Sequence, residues 1–275
     1  MVAEDALRAE LSALCLVEDD EISLAETALL LGALDHLDID LEKYRAHLND
    51  LATAISSSAA ISGADARATL LADFMATLQG YSGDSKTYDD ARNANLIDVI
   101  DRRIGLPVAL AILYIHAARG AGWPAWGLDF PGHFVIRIDG DKDRAIVDPF
   151  NGGEVLATPD LRKLLKTMAG DDAEIAPHHF EAMSDRAILL RLLNNIRGRA
   201  LAAQDIDRGV EIMDRMVLIA PRNAGLRFES GALAAQAGRL RAAVEAFEAC
   251  LTLESNEEMR ASAEAALEQL RGRLN

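Results

Sequence analysis

Hydrophobic residues in positions 1–80 recur at helical spacing, and this pattern predicts several helices in succession. Ser23 and Glu26 have the spacing of a capping box, so a helix is expected to begin at Ser23. A second helix is predicted over 40–55 and a third over 64–78. One face of the second helix carries the apolar side chains that should be buried, namely Leu41, Tyr44, Leu48 and Leu51.

From residue 94 to residue 168 the pattern alternates between helix and strand. A short helix is predicted over 94–103, and Pro107 suits the first turn of the next helix because that position needs no N–H donor. Since 107–119 is apolar almost all round, this helix should be central and buried. The fold class is therefore α+β and helix-rich, with a small antiparallel sheet on the central helix. The remaining elements are strands over 125–129, 134–138 and 145–148 and a helix over 160–168.

The last ninety residues are predicted to be helical and to contain an internal repeat. At an offset of 34 residues, Ile206 aligns with Leu240 and Met213 with Phe247. Gly231 and Phe247 occupy the small and aromatic positions of a tetratricopeptide repeat, which this segment resembles. We therefore expect a first domain over 1–184 and an all-α, tetratricopeptide-like segment over 185–275.

Composition narrows the functional classes. The formal charge of −16 disfavours binding to nucleic acid, since a phosphate-binding surface needs clustered Lys and Arg. No apolar run has the length of a membrane span and no signal-peptide pattern is present, so a cytoplasmic location without a membrane partner is expected. Cys15 and Cys250 lie far apart without metal-ligand spacing, which predicts neither a disulfide nor a metal site.

The candidate chemistry consists of a His and an Asp on successive strands, downstream of a helix start. A Cys-His-Asp site works because a thiolate attacks a carbonyl, the His carries the proton and the carboxylate orients the His. This arrangement resembles the transglutaminase-like fold over residues 96–153, with His133 and Asp148 matching its catalytic His and Asp. Pro107 occupies the position of the nucleophilic Cys. The other side chains of 100–122 include no Ser, Thr or Cys that could replace it.

A closer resemblance is to the bacterial SirB family of transglutaminase-like domains followed by tetratricopeptide-like repeats. Arg102–Pro107 resembles the family's Arg-Arg-x-Gly-Ile-Pro segment, and Tyr88–Leu96 resembles its Tyr-Asp-Pro-Arg-Asn-Ser-x-Leu-Asn segment with departures at Ala91 and Asn95. The most distinctive pair is Pro131–Phe134 with Asp148–Gly153. The resemblance implies that Pro rather than Cys before the central helix is a trait of the family. It implies no particular reaction, since none is established for the family.

Four further residues are candidates for binding. Arg92, Asn93 and Asn95 either line a pocket beside the His and Asp or cap the following helix, and capping is the simpler interpretation for Asn93. Arg103 either forms an ion pair at a helix end or neutralises Asp148 or an anionic ligand. His133 with Asp148 is either a functional pair or a hydrogen bond that ties two strands together.

These observations leave three hypotheses. The first is a non-catalytic descendant of the transglutaminase-like fold, a pseudoenzyme that acts as a binding or regulatory module. The second is a hydrolase or transferase that uses His133 and Asp148 without a Cys nucleophile. The third is a scaffold whose repeats bind a protein or peptide partner. None of the three requires a cofactor.

Overall fold

The computed structural model describes residues 4–14, 16–19 and 21–274. The chain divides into two units, described here separately. The first contains Val17–Leu192 together with the segment that ends at Glu10. The second contains the residues from Leu193 onward together with the segment Leu11–Leu16. None of the described helices is long and apolar enough to cross a membrane.

The helices of the N-terminal part follow the hydrophobic pattern. Asp40 caps α3 by accepting a hydrogen bond from Glu42 N at 3.1 Å, and the predicted apolar face of α3 is buried. Ser23 precedes α2 as predicted, but the predicted capping box is wrong. The Ser23 side chain makes no capping bond, and the Glu26 carboxylate, which would accept from the Ser23 backbone N–H in a capping box, accepts hydrogen bonds from the charged guanidinium of Arg45. The elements are α1 (Glu4–Leu14), α2 (Leu24–Ala33), α3 (Leu41–Ser56) and α4 (Ala64–Ala72), which continues as a π-helical turn over Asp73–Leu78.

The central helix of the first unit is α6 (Pro107–Gly120), which is buried on nearly every side as its composition predicts. It follows α5 (Leu96–Arg102) and a short parallel pairing of β1 (Ser82–Gly83) with β2 (Ile104–Gly105). Arg103 ends α5 in the left-handed conformation, with φ 61° and ψ 19°. This reversal directs the chain into β2 and then into α6.

An antiparallel sheet of four strands packs on α6, in the order β3-β4-β5-β6. Its register pairs Trp126 with Arg137 at one end of the β3–β4 hairpin and Phe130 with His133 at the other. Apolar side chains of the sheet pack against α7 (Thr158–Ala169), with Leu128, Phe130, Val135, Ile146, Leu161 and Leu165 forming a buried cluster. The strands are β3 (Ala125–Phe130), β4 (His133–Asp139), β5 (Arg144–Asp148) and β6 (Glu154–Leu156), and the last of these was not predicted.

Among its described residues the second unit consists of helices joined by short turns, with no strand. The predicted repeat offset is confirmed, because Ile206 and Leu240 are the first residues of two corresponding helices. A Cβ at Gly231 would lie 2.9 Å from the ring of Phe247, which explains the small residue at that position. The elements are α8 (Asp185–Ala202), which begins in the first unit and enters the second at Leu193, followed by α9 (Ile206–Ile219), α10 (Ala224–Gln236), α11 (Leu240–Leu251) and α12 (Glu257–Leu274). The α+β fold class with a helical, repeat-containing segment is confirmed.

Candidate functional site

The structure brings His133 and Asp148 together at the edge of the sheet. His133 is the first residue of β4, Asp148 is the last residue of β5, and the two strands are antiparallel neighbours. His133 Nε2 lies 2.8 Å from Asp148 Oδ2. Both residues are buried, with exposed fractions of 8% for His133 and 2% for Asp148. The pair predicted from the sequence is therefore a buried hydrogen-bonded pair.

The carboxylate of Asp148 is fully occupied by hydrogen bonds. Oδ1 accepts from Phe150 N at 3.0 Å and from Asn151 N at 3.3 Å, while Oδ2 accepts from Asn151 Nδ2 at 2.7 Å as well as from His133. Burial raises the pKa of Asp148, but the hydrogen bonds from His133 and Asn151 outweigh burial and hold that pKa below its usual value. Asp148 is therefore ionised at neutral pH, and it fixes the turn that follows β5.

This geometry decides which nitrogen of His133 carries a proton. A carboxylate can only accept hydrogen bonds, so Nε2 of His133 is the protonated nitrogen toward Asp148. In the neutral ring Nδ1 then holds the free electron pair, as a general base requires. No hydrogen bond engages Nδ1 within the described part of the chain. The His133–Asp148 pair thus has the hydrogen-bonding arrangement that the histidine and carboxylate of a Cys-His-Asp site require: one ring nitrogen donates to the carboxylate, and the other is able to accept a proton.

The position at which the sequence resemblance expects the nucleophilic Cys is Pro107, the first residue of α6. Leu106, the helix N-cap, is extended, and its backbone N–H donates to the carbonyl of Asn93 at 2.8 Å. Pro107 is buried and offers no nucleophilic atom, while its missing N–H is no loss in the first helical turn. Cys250 belongs to the second unit, where it is buried and its Sγ donates to Ala224 O at 3.3 Å. Cys15 lies outside the described residues.

Aromatic rings border the pair on the side of the turn. The Phe150 ring packs edge-on against His133, with centroids 6.2 Å apart, and against Tyr88, with centroids 5.8 Å apart. Phe150 O also accepts from Gly83 N at 3.1 Å, and a Cβ at Gly83 would come within 2.5 Å of Phe150. Sequence reasoning did not assign Phe150 this position, although it stands in the distinctive motif after Asp148. The turn itself contains Gly153 at φ +77°, a conformation that favours glycine.

Tyr114 is a second group near the pair, and no sequence pattern indicated that it belongs to the site. It lies in α6 and is fully buried, and its hydroxyl has no hydrogen-bond partner among the described residues. Burial raises the pKa of Tyr114, and the negative charge of Asp148 raises it further. The phenol therefore stays neutral beside the ionised carboxylate.

The predicted binding residues Asn93 and Asn95 are held by the protein itself. Asn93 is buried, and its Nδ2 donates to Asp84 Oδ2 at 3.0 Å while its Oδ1 accepts from Arg102 Nη1 at 2.9 Å. Asn95, rather than Asn93, caps α5 by accepting from Ile97 N at 3.0 Å. Both side chains thereby fix the segment that leads to Pro107.

Arg92 and Arg103 also have partners within the protein. Exposed Arg92 pairs with Asp90 at 2.6 Å. Arg103 donates to the hydroxyl of Tyr81 and to His47 Nε2, the latter at 2.7 Å. Burial and the charge of Arg103 lower the pKa of His47 to about 4, so His47 stays neutral and accepts this bond. No hydrogen bond joins either arginine to His133 or Asp148 among the residues described.

Asp84 is a buried acid that sequence reasoning missed. It accepts from the Thr87 hydroxyl, from Thr87 N at 2.7 Å and from Asn93, and it lies 3.5 Å from Arg102. The bond from the Thr87 side chain contributes most to holding the pKa of Asp84 well below its usual value. Its cluster supports the chain before α6. No group of three or more His, Cys, Asp or Glu side chains that could hold a metal ion occurs in the described ranges.

Comparison with known proteins agrees with this architecture. The profile of the transglutaminase-like superfamily matches residues 42–194, and that of the tetratricopeptide repeat matches residues 196–271. A UPF0162 protein of Xylella fastidiosa strain 9a5c is 31% identical over 76% of this chain and 76% of its own. A UPF0162 protein of strain Temecula1 is also 31% identical, over 80% of this chain and 84% of its own.

The chain therefore belongs to the transglutaminase-like superfamily and, within it, to the UPF0162 family, with tetratricopeptide repeats after the first domain. The predicted resemblance to SirB-type proteins is confirmed. Among solved structures, menin matches with a TM-score of 0.42 and 9% identity, over 91% of this chain and 70% of menin. A likeness at that level carries no argument about function.

Proposed function

We propose that this protein is a non-catalytic transglutaminase-like protein that acts as a binding or regulatory module. The observation that carries the proposal is Pro107, which begins the buried central helix where the resemblance expects a nucleophilic Cys, while the His133–Asp148 pair is retained. In a Cys-His-Asp site the carbonyl is attacked by a thiolate at this helix start, where the helix dipole lowers the thiol pKa. Proline supplies no attacking atom.

The bonding of Asp148 supports a structural use of the pair. All the hydrogen bonds of its carboxylate join β5 to β4 or to the turn at Phe150 and Asn151. These bonds shape a surface bordered by Phe150 and Tyr88. The pair can serve this structural purpose without catalysing a reaction. We propose that 1–184 forms this site and that the repeats over 185–275 contact a protein partner.

The test is an acyl-transfer assay on the full chain. The protein is incubated with a glutamine-containing peptide and a primary amine, and ammonia release is compared between wild type and His133→Ala. The proposal expects no release above buffer from either protein. Release by wild type that disappears in His133→Ala would overturn it.

A second candidate is a general-base enzyme, favoured by the free Nδ1 of His133. Such an enzyme would activate a water molecule or a substrate amine directly. His133→Ala would abolish its turnover, and Pro107→Ala would leave its turnover unaffected. Turnover that survives in a folded His133→Ala protein would exclude this candidate.

A further inference from the structure

The turn after β5 contains the one Asn-Gly sequence of the chain, Asn151-Gly152. In such a sequence the backbone nitrogen of the glycine can attack the side-chain amide of the asparagine, because glycine has no Cβ to obstruct the approach. Both residues are exposed. Gly152 has φ +70°, and a Cβ added there would meet nothing within 4 Å. Solvent therefore reaches both groups that would react.

The backbone N–H of Gly152 differs from its neighbours in hydrogen bonding. The other N–H groups of the turn all donate to oxygens of Asp148 or Asn151, namely those of Phe150, Asn151, Gly153 and Glu154. The Gly152 N–H makes no hydrogen bond within the described part of the chain. Its nitrogen can therefore lose a proton to solvent and attack without first breaking a bond of the turn.

The group that would leave is the side-chain nitrogen of Asn151. This Nδ2 donates to Oδ2 of the ionised Asp148 at 2.7 Å. When the amide carbon is attacked, Nδ2 gains positive charge before it departs as ammonia. A hydrogen bond to a carboxylate becomes stronger when its donor is charged. Asp148 therefore stabilises the departing nitrogen more than it stabilises the starting amide.

We propose that Asn151 is a site of spontaneous deamidation, and that its conversion alters the surface around the His133–Asp148 pair. The Gly152 nitrogen loses its proton to solvent and forms a bond to Cγ of Asn151. The Cγ–Nδ2 bond then breaks, and Nδ2 takes up a proton and leaves as ammonia. Water opens the resulting cyclic imide at either carbonyl, which gives aspartate or isoaspartate at this position. Nothing is oxidised or reduced.

Either product changes the surroundings of Asp148. Aspartate replaces the donor at 2.7 Å by a second carboxylate, and neighbouring carboxylates disfavour each other's ionisation. Isoaspartate adds a methylene group to the backbone of the turn that Asp148 fixes. The surface bordered by Phe150 therefore changes with the age of the protein. The inference goes beyond the proposed function, since the reaction requires neither a partner nor turnover at His133.

The experiment ages the full chain in mildly alkaline buffer and follows residue 151 by peptide mass spectrometry. A synthetic peptide with the sequence of residues 148–154 is aged in parallel as the reference for an unfolded turn. Asn223 is exposed and followed by Ala224, so it serves as the internal control. Conversion at Asn151 should be at least about tenfold faster than at Asn223 and within about tenfold of the peptide.

Two variants connect the reaction to the site. Asn151→Gln keeps a side-chain amide but cannot close the same ring, so it should stay unconverted. Asn151→Asp, which has the normal product, should unfold at a lower urea concentration than wild type, because two carboxylates then repel. This difference should shrink in acid, where the carboxylates take up protons. Aged wild type should approach the midpoint of Asn151→Asp, while aged Asn151→Gln should keep its fresh midpoint.

Three results would overturn the inference: Asn151 intact after the peptide has fully converted, conversion no faster than at Asn223, or an Asn151→Asp protein as stable as wild type. Ammonia from Asn151 cannot exceed one molecule per chain and needs no glutamine peptide. Ammonia from acyl transfer would exceed that amount and depend on the peptide. Failure of this inference and failure of the proposed function are therefore distinguishable.

Discussion

Removing the Asp148 carboxylate should destabilise the first unit strongly. In Asp148→Ala, Asn151 is exposed and its donors can bond to water, but His133 Nε2 and Phe150 N are left without their acceptor. At about 1–3 kcal/mol for each of these two unsatisfied groups, the loss should be about 2–6 kcal/mol. Asp148→Asn keeps the shape and one acceptor, so its loss should be smaller, about 1–3 kcal/mol.

Urea denaturation at neutral pH measures this loss. Trp123 and Trp126 both lie in the first unit, so their fluorescence follows that unit alone. The midpoint should fall while the slope stays constant. Asp129→Ala removes an exposed carboxylate on β3 and is the matched control, with an expected change below about 0.5 kcal/mol. An Asp148→Ala protein as stable as this control would refute the assigned role of the carboxylate.

Lowering the pH should reduce the stability that the Asp148 carboxylate contributes to the first unit. The folded-state pKa of Asp148 is lowered, so its stabilisation is present above the unfolded pKa of about 3.9 and is lost as pH falls through the folded value. The stability gap between wild type and Asp148→Asn should therefore be larger at neutral pH than in acid. A gap that grows on acidification would contradict the lowered pKa.

Other substitutions test the fold around the site. Asn95→Ala should cost about 1–2 kcal/mol by circular-dichroism melting, because it removes the cap of α5, and an unchanged melt would refute the cap. Gly231→Ala should cost about 1–3 kcal/mol in the second unit, because its Cβ meets Phe247, and protection of α10 amides from hydrogen exchange should fall. Tyr114→Phe should leave urea stability unchanged or raise it by about 1 kcal/mol, since its hydroxyl has no described partner, and a large loss would reveal one.

Much of the fold follows from local pattern. The spacing of apolar residues predicts α3, and the uniformly apolar segment after Pro107 predicts the burial of α6. The repeat offset predicts where α9 and α11 begin. In each case the signal lies within the element itself, so one sequence is enough to detect it.

Features that depend on distant partners could not be predicted in this way. The three-residue β6 is defined by its pairing with β5, and Glu26 leaves its predicted capping role because Arg45, far along the chain, binds it. The sequence places Asn93 near the site, but it does not predict the hydrogen bonds of Asn93 with Asp84 and Arg102, because these form only when the loop is folded. Sequence patterns thus locate the His133–Asp148 pair, while the bonds that fix its surroundings are tertiary.

The central claim is that the site keeps its histidine and carboxylate and lacks only the attacking group. The most direct measurement is iodoacetamide alkylation of residue 107 in Pro107→Cys, followed by peptide mass spectrometry across pH. We expect a thiol of lowered pKa that reacts at about pH 6 at least tenfold faster than in Pro107→Cys/His133→Ala. Reactivity at residue 107 that does not depend on His133 would contradict the claim.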